Sequence, residues 1–178
     1  QDLFQLAQLE SQQITFSFSQ VSVFELFEQM VKKYECEVLN AGLDFTSSID
    51  RENISHKEEV VVDLERISQV YSNLIYNAIK NTPKPGRISV SCTMVDNSNS
   101  YVQFCIHDTG NGIDPKDLPY IFERFYKGEN TSKDKECTSS GLGLAISKEI
   151  IQSHNGKIWA ESKLYSGSSF FFMLPVHK

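Results

Sequence analysis

Asn73 and Asn77 stand four residues apart in Asn73-Leu-Ile-Tyr-Asn77-Ala-Ile-Lys80-Asn81-Thr82, and Lys80 follows three residues later. On a helix this spacing puts both amides on one face with the ammonium a turn further along. An amide oxygen is a hard, neutral ligand suited to Mg²⁺, and a Lys a turn away can meet the phosphate that such a metal bridges. Leu74, Ile75 and Ala78 are left to pack inward. Asn residues on a plain exposed helix face would give the same spacing.

A second cluster, Ile106-His-Asp108-Thr-Gly110-Asn-Gly112-Ile113-Asp114-Pro115, ends a predicted strand. Glycine at 110 and 112 permits positive φ and lets a flat ligand approach the backbone, while a buried carboxylate at Asp108 can accept from an exocyclic amine. A hairpin turn would use the same residues, as would a calcium-like loop, although the later acidic ligands of the latter are missing. The third cluster, Ser140-Gly141-Leu142-Gly143-Leu144, opens an amphipathic helix through Ala145, Ile146, Ile150 and Ile151. A glycine-rich helix start exposes N–H groups at the positive end of the dipole, an anion site that needs no cationic side chain. It is not a P-loop, since no Gly-Lys-Ser/Thr follows, nor the dinucleotide fingerprint, which would need Gly at Ile146. Glycines serving only a tight turn are the plainer alternative.

The elements that must position these clusters can be read from periodicity. Leu3, Phe4, Leu6, Ala7 and Leu9 recur at roughly helical spacing within residues 1–13, as in the tail of a truncated helix. Phe16 and Phe18 alternate with polar residues as in a strand. Ser22-Val-Phe-Glu25 has the form of a capping box before an apolar face of Val23, Phe24, Phe27, Met30, Val31 and Tyr34, with Gly42 the expected stop. Short strands are expected at Leu43–Thr46 and Val60–Val62. Asp63 can cap a second long helix carrying the two Asn, which Pro83 and Pro85-Gly86 end. Arg87–Val95 and Tyr101–His107 read as a hairpin, Leu142–Ser153 as a helix, and Lys157–Ser162 with Ser168–Leu174 as a closing strand pair. The mixture predicts a two-layer α/β sandwich.

The 178 residues suit one α/β domain with an appendage, and 40% hydrophobic residues with 9 Gly and 5 Pro describe a folded protein. A net charge of −6 opposes binding to nucleic-acid backbones and anionic membranes, so any phosphate must be held locally. Four scattered cysteines fit neither a disulfide scaffold nor a zinc site, and a reducing compartment is expected. No apolar run reaches the roughly 20 residues of a membrane span. The start at Gln1, without Met or a signal pattern, reads as a piece of a longer chain.

In this order, with Ile121-Phe122-Glu123-Arg124-Phe125-Tyr126-Lys127 between the second and third, the clusters resemble the catalytic ATP-binding domain of bacterial sensor histidine kinases. The resemblance runs from about Phe16 to Val176 and takes in Gly156-Lys-Ile-Trp159-Ala-Glu-Ser162 and Gly167-Ser168-Ser-Phe170. Residues 1–13 are similar to the end of the second helix of that family's dimerisation and phosphoacceptor hairpin, leaving 14–178 as the catalytic domain. The resemblance implies the Bergerat fold, a mixed five-stranded sheet with three helices on one face. It implies Mg²⁺ on Asn77, Asn73 at the phosphate end, Lys80 on phosphate oxygens and Asp108 on the adenine amine. Gly110 and Gly112 would shape the base pocket, Ile113 would wall it, and Ser168 would belong to the same nucleotide site. Residues 127–140 would form an ATP lid, with Lys127 near the γ-phosphate, Phe122 and Phe125 at its root, and Gly141, Leu142, Gly143 and Leu144 as the phosphate-facing helix start.

Three departures stand out. Asn81, counted with the nucleotide-binding residues, stands where family members often carry an aromatic residue. Ser139 replaces the first glycine of the common Gly-x-Gly-x-Gly. The phosphoacceptor motif, a His followed by an acidic residue and Arg-x-Pro, is absent, so no catalytic residue of that kind is expected here; His56, His107, His154 and His177 are read as surface or strand residues. ATPases of the same fold place a Glu four residues before the metal-binding Asn, where this chain has Asn73, which cannot act as a base at neutral pH. Transfer to a histidine on the absent hairpin, in cis or in a homodimer, is the activity this implies, with a response regulator downstream, a cytoplasmic location and no direct membrane contact. A nucleotide-dependent regulatory ATPase or interaction module and a protein serine kinase share the fold.

Overall fold

A computed structural model describes residues 2–10, 15–95, 100–127 and 141–177. In chain order the elements are α1 (Asp2–Glu10), β1 (Ser19–Ser22), α2 (Val23–Asn40), β2 (Asp44–Ile49), β3 (Glu59–Val62) and α3 (Leu64–Asn81). There follow β4 (Arg87–Met94), β5 (Tyr101–Asp108), a short 3₁₀ turn at Leu118–Tyr120, α4 (Gly143–Ser153), β6 (Lys157–Ser162) and β7 (Ser168–His177).

The strands run β1-β3-β7-β5-β4-β2, with β6 also paired to β7. Among the described residues only β2 and β4 pair in parallel and the other ladders are antiparallel, so the sheet is mixed. Alternation decides its two faces. Ile88, Val90 and Cys92 of β4, Val102, Phe104 and Ile106 of β5, and Phe170, Phe172 and Leu174 of β7 are buried on one side. They share a core with Leu26 and Phe27 of α2, Leu74 and Ile75 of α3, and Ile146 and Ile150 of α4. Tyr71 meets Phe172 edge-on with ring centroids 6.0 Å apart, and Phe172 stacks on Phe104 at 4.8 Å, joining α3 to the middle of the sheet. On the opposite face Trp159 stacks on Phe171 at 5.2 Å. The result is the expected two-layer α/β sandwich with three long helices on one face.

The helix boundaries follow from local chemistry. The Ser22 hydroxyl accepts from the N–H of Glu25 at 3.4 Å and starts α2, and Gly42, at φ 75°, turns the chain out of it. Asp63 Oδ1 accepts from the N–H of Arg66 at 3.1 Å and starts α3.

Four expectations need correction. The sheet has seven strands, because the short β1 and β3 add to the five long ones. Residues 15–18 join no strand ladder, and the strand begins at Ser19. Phe16 and Phe18 stack on each other at 5.5 Å and meet His154 at 5.6 and 5.1 Å, so their alternation serves a ring cluster and no ladder. The last strand continues past Leu174 to His177, because Val176 and His177 pair with Val60 and Glu59. His154 is neither a surface nor a strand residue: it is 3% exposed at the C-cap of α4. Its Nδ1–H donates to the carbonyl of Ile150 at 2.7 Å, and Nε2 accepts the N–H of Asp63 at 3.0 Å, which requires the neutral ring. Asp63 Oδ2 in turn accepts the N–H of Ser17 at 2.9 Å.

α1 is described as a helix over Asp2–Glu10, and residues 11–14 lie outside the described residues. Gln5 and Gln69 exchange side-chain amide hydrogen bonds of 2.9 and 3.1 Å, which link α1 to α3 while α1 packs chiefly along α4.

Candidate functional site

The inner face of α3 is apolar enough to bury Leu74, Ile75 and Ala78, so its helical register leaves the amides beside the core's edge. Asn73, half-buried, donates from Nδ2 to the Gly143 carbonyl at 3.0 Å and to the Ser147 hydroxyl at 3.1 Å. A carbonyl oxygen can only accept, so this contact sets which end of the amide faces α4. Ser147 is fully buried and gives its own proton to the Gly143 carbonyl at 2.8 Å. One turn along, Asn77 is half-buried, and Asn81 Nδ2 donates to its Oδ1 at 3.1 Å and to its main-chain carbonyl at 2.8 Å. Lys80 and Asn81 are exposed in the last turn.

Asp108 ends β5 almost completely buried, at 2% exposure. Burial pushes its carboxyl above the ordinary range, and the N–H of Gly110, donating to Oδ1 at 2.8 Å, only partly offsets this. Asp108 lies opposite Ser168 in the β5–β7 ladder. Ser162 donates to the Gly167 carbonyl at 2.9 Å and accepts the N–H of Ile113 at 2.8 Å; with its proton committed, it accepts from Ser168 at 2.9 Å. The turn after Asp108 is thereby tied to the β6–β7 turn.

Of the two glycines that permit positive φ in this turn, Gly112 adopts it, at 70°, and Gly110 does not. Gly110 answers a different need, since a Cβ there would collide with the carbonyl oxygen of Asn81. That carbonyl also accepts the N–H of Asn111 at 3.2 Å, so the end of α3 is bonded to the turn.

Leu142 is buried at the N-cap of α4, where no side chain caps the helix, and Leu144 packs against the core. Gly141 sits at φ 72°, and its carbonyl accepts the N–H of Phe125 at 3.0 Å. The positive end of the α4 dipole thus lies beside Asn73. Phe122 is half-buried and meets Phe170 edge-on at 6.3 Å, whereas Phe125 is 57% exposed with φ 59°. Lys127 is exposed, and residues 128–140, the rest of the expected lid with Ser139, lie outside the described residues.

The three sequence clusters therefore meet, joined by side-chain and main-chain bonds between α3, the turn after β5 and the first turn of α4. Sequence reasoning missed Ser147 and gave Ser162 no role. A lone hydroxyl on the buried stripe of Ala145, Ile146, Ile150 and Ile151 was the available signal for Ser147. Among the described residues no group of three or more His, Cys, Asp or Glu could hold a metal. A hard cation here would take the amide oxygen of Asn77 and complete its shell with ligand oxygens and water, a donor set that suits Mg²⁺ and phosphate.

Residues 62–178 match the family described as histidine kinase-, DNA gyrase B-, and HSP90-like ATPase. The chain is similar to the sensor histidine kinase WalK of Bacillus subtilis, 29% identical over 98% of this chain and 27% of that protein. It is also similar in structure to the nucleotide-free catalytic domain of the histidine kinase ThkA, with TM-score 0.72 and 27% identity over 90% of this chain and 98% of that one. A third likeness is to ThkA in complex with the response regulator protein TrrA, with TM-score 0.69 and 25% identity over 98% of this chain and 48% of that one. The chain spans less than half the length of the curated relatives it matches.

Proposed function

Because this chain belongs to the histidine kinase-, DNA gyrase B-, and HSP90-like ATPase family, we propose that it binds Mg²⁺·ATP and delivers the γ-phosphoryl group to a histidine of a sensor kinase. The observation that carries this reading is the bonding of Asn73 to the first turn of α4 and of Asn81 to the turn after Asp108. Those bonds bring the Asn77 amide, the start of α4 and the turn after the buried Asp108 carboxylate to one end of α3, which supports reading them as one nucleotide site.

Asp108 accepts from the adenine amine, with Gly110 and Gly112 keeping side chains away from the base, Ile113 beside it and Ser168 behind the carboxylate. Asn77 holds the metal, whose charge offsets that of the triphosphate. Lys80 and Lys127 contact phosphate oxygens, and the N–H groups of Gly141 to Leu144 face them. Residues 127–140 act as the lid. The acceptor imidazole attacks the γ-phosphorus, the bond to the β–γ bridging oxygen breaks, and ADP leaves. Such a transfer needs positioning and charge neutralisation more than a base, and Asn73 offers no base with which to activate water.

In this reading α1 is the end of the phosphoacceptor hairpin, and a response regulator receives the group next. No helix among the described residues is long and apolar enough to cross a membrane. The reading places the chain on the cytoplasmic side of its parent. Incubation with labelled ATP should leave this chain unlabelled, because no histidine in it has the acceptor context. A separately supplied hairpin should become labelled at histidine, slowly for want of tethering. Stoichiometric label on the chain alone, or rapid phosphate release unaffected by Asn73→Ala, would overturn the reading.

A further inference from the structure

Asn81 is bonded on two sides. Its main-chain carbonyl accepts the N–H of Asn111 at 3.2 Å, and Gly110 packs against the same carbonyl closely enough to leave no room for a Cβ. The backbone at Asn81 is therefore set by the turn that follows Asp108. From that fixed point the side chain reaches back one turn of α3. Its Nδ2 gives one hydrogen to the Asn77 carbonyl at 2.8 Å and the other to Asn77 Oδ1 at 3.1 Å.

The second of these bonds ends on the atom that the proposed function assigns to the metal. An amide oxygen has two lone pairs, so one N–H donor leaves the other free for a cation. A donor behind a ligand oxygen fixes its direction, the usual task of a residue just outside a metal's own ligands. We infer that Asn81 is a positioning residue for Mg²⁺: it holds the Asn77 side chain in one rotamer, with Oδ1 presented to the metal–phosphate group. The inference rests on the proposed nucleotide site and assigns Asn81 a task beyond ending the helix. Closing the end of α3 requires only the bond to the Asn77 carbonyl; the bond to Oδ1 is additional.

The test is a titration of the chain with ATP across Mg²⁺ concentrations, and again in EDTA, followed by calorimetry. Asn81→Leu keeps the backbone carbonyl and removes both side-chain donors, while Asn81→Gln restores a donor. For Asn81→Leu the Mg²⁺ concentration giving half-maximal enhancement of ATP binding should rise about tenfold, the lower end for such residues because the pair is open to water. The loss of binding in EDTA should be much smaller than the loss in Mg²⁺, the thermal midpoint should fall only slightly with the exposed bond to the Asn77 carbonyl, and Asn81→Gln should recover much of the Mg²⁺ sensitivity. An unchanged Mg²⁺ requirement in Asn81→Leu would reduce Asn81 to a helix end. Tighter Mg²⁺ dependence would make it a competitor of the metal, and equal losses with and without Mg²⁺ would place its effect on the base side. Each of these overturns the inference while leaving the proposed function intact. Wild-type chain that binds no ATP at any Mg²⁺ concentration would overturn both.

Discussion

Asp63 and His154 lie 91 residues apart in sequence, yet the main-chain N–H of one donates to Nε2 of the other at 3.0 Å inside the protein. Burial holds His154 below its usual pKa, against the opposing pull of the Ile150 carbonyl and the Asp63 carboxylate. The folded chain thus binds this proton less readily than the unfolded one. The stability contributed by the neutral ring is complete above the unfolded value of about 6.5 and is lost as pH falls from there toward the lower folded value. Urea midpoints measured from pH 8 to pH 5 should fall more steeply for the wild type than for His154→Phe. Parallel profiles would show that His154 does not set this dependence.

Asp108 carries the opposite shift, with its carboxyl raised by burial. Adenine recognition needs the ionised acceptor, so affinity for ADP should fall on acidification at a higher pH than an ordinary Asp would give. Asp108→Asn should cut the preference for ADP over GDP by at least about tenfold, some 1.4 kcal/mol. Calorimetry with both nucleotides at pH 7 checks this, and an unchanged ratio would remove Asp108 from the base site.

The Asn73–Ser147–Gly143 group separates two kinds of loss. Ser147→Ala removes one of two donors to the Gly143 carbonyl and should cost about 1 kcal/mol in urea denaturation. Asn73→Asp leaves a carboxylate oxygen facing that carbonyl and should cost about 1–3 kcal/mol, with weaker binding of ATP as negative charge arrives at the phosphate end. Equal stability of Asn73→Asp and wild type would mean the bonds are of no consequence.

Gly110→Ala should damage the site through packing. The added methyl collides with the Asn81 carbonyl, a main-chain atom that cannot move without disturbing the end of α3. A loss of about 1–3 kcal/mol together with weaker ADP binding is expected. Unchanged urea midpoint and affinity would show that the turn relaxes freely.

The candidate site could be outlined because its residues stand in three short segments, each naming its own helix face, turn or helix start. Asp63 and the spacing from Ile67 to Ala78 placed α3 almost to the residue. The partners of these polar groups were not legible, since they come from distant chain: Asn73 finds Gly143 across 70 residues and Ile113 finds Ser162 across 49. Local alternation also misled at Phe16 and Phe18, whose shared neighbour His154 caps the far end of α4. β7 runs on through Pro175 to His177 because its last residues still have β3 beside them.

α3 is a straight path of 18 residues from Asp63, which holds the N–H of Ser17, to Asn81, which holds the turn after Asp108. The chain leading from α1 is therefore fastened at the opposite end of α3 from the proposed nucleotide site. At 1.5 Å per residue the arm is about 27 Å long, so a pivot of about 10° at Ser17 would carry the far end through about 5 Å. A small angular change where the chain is moored would be magnified along this arm into several ångströms at the proposed phosphate end.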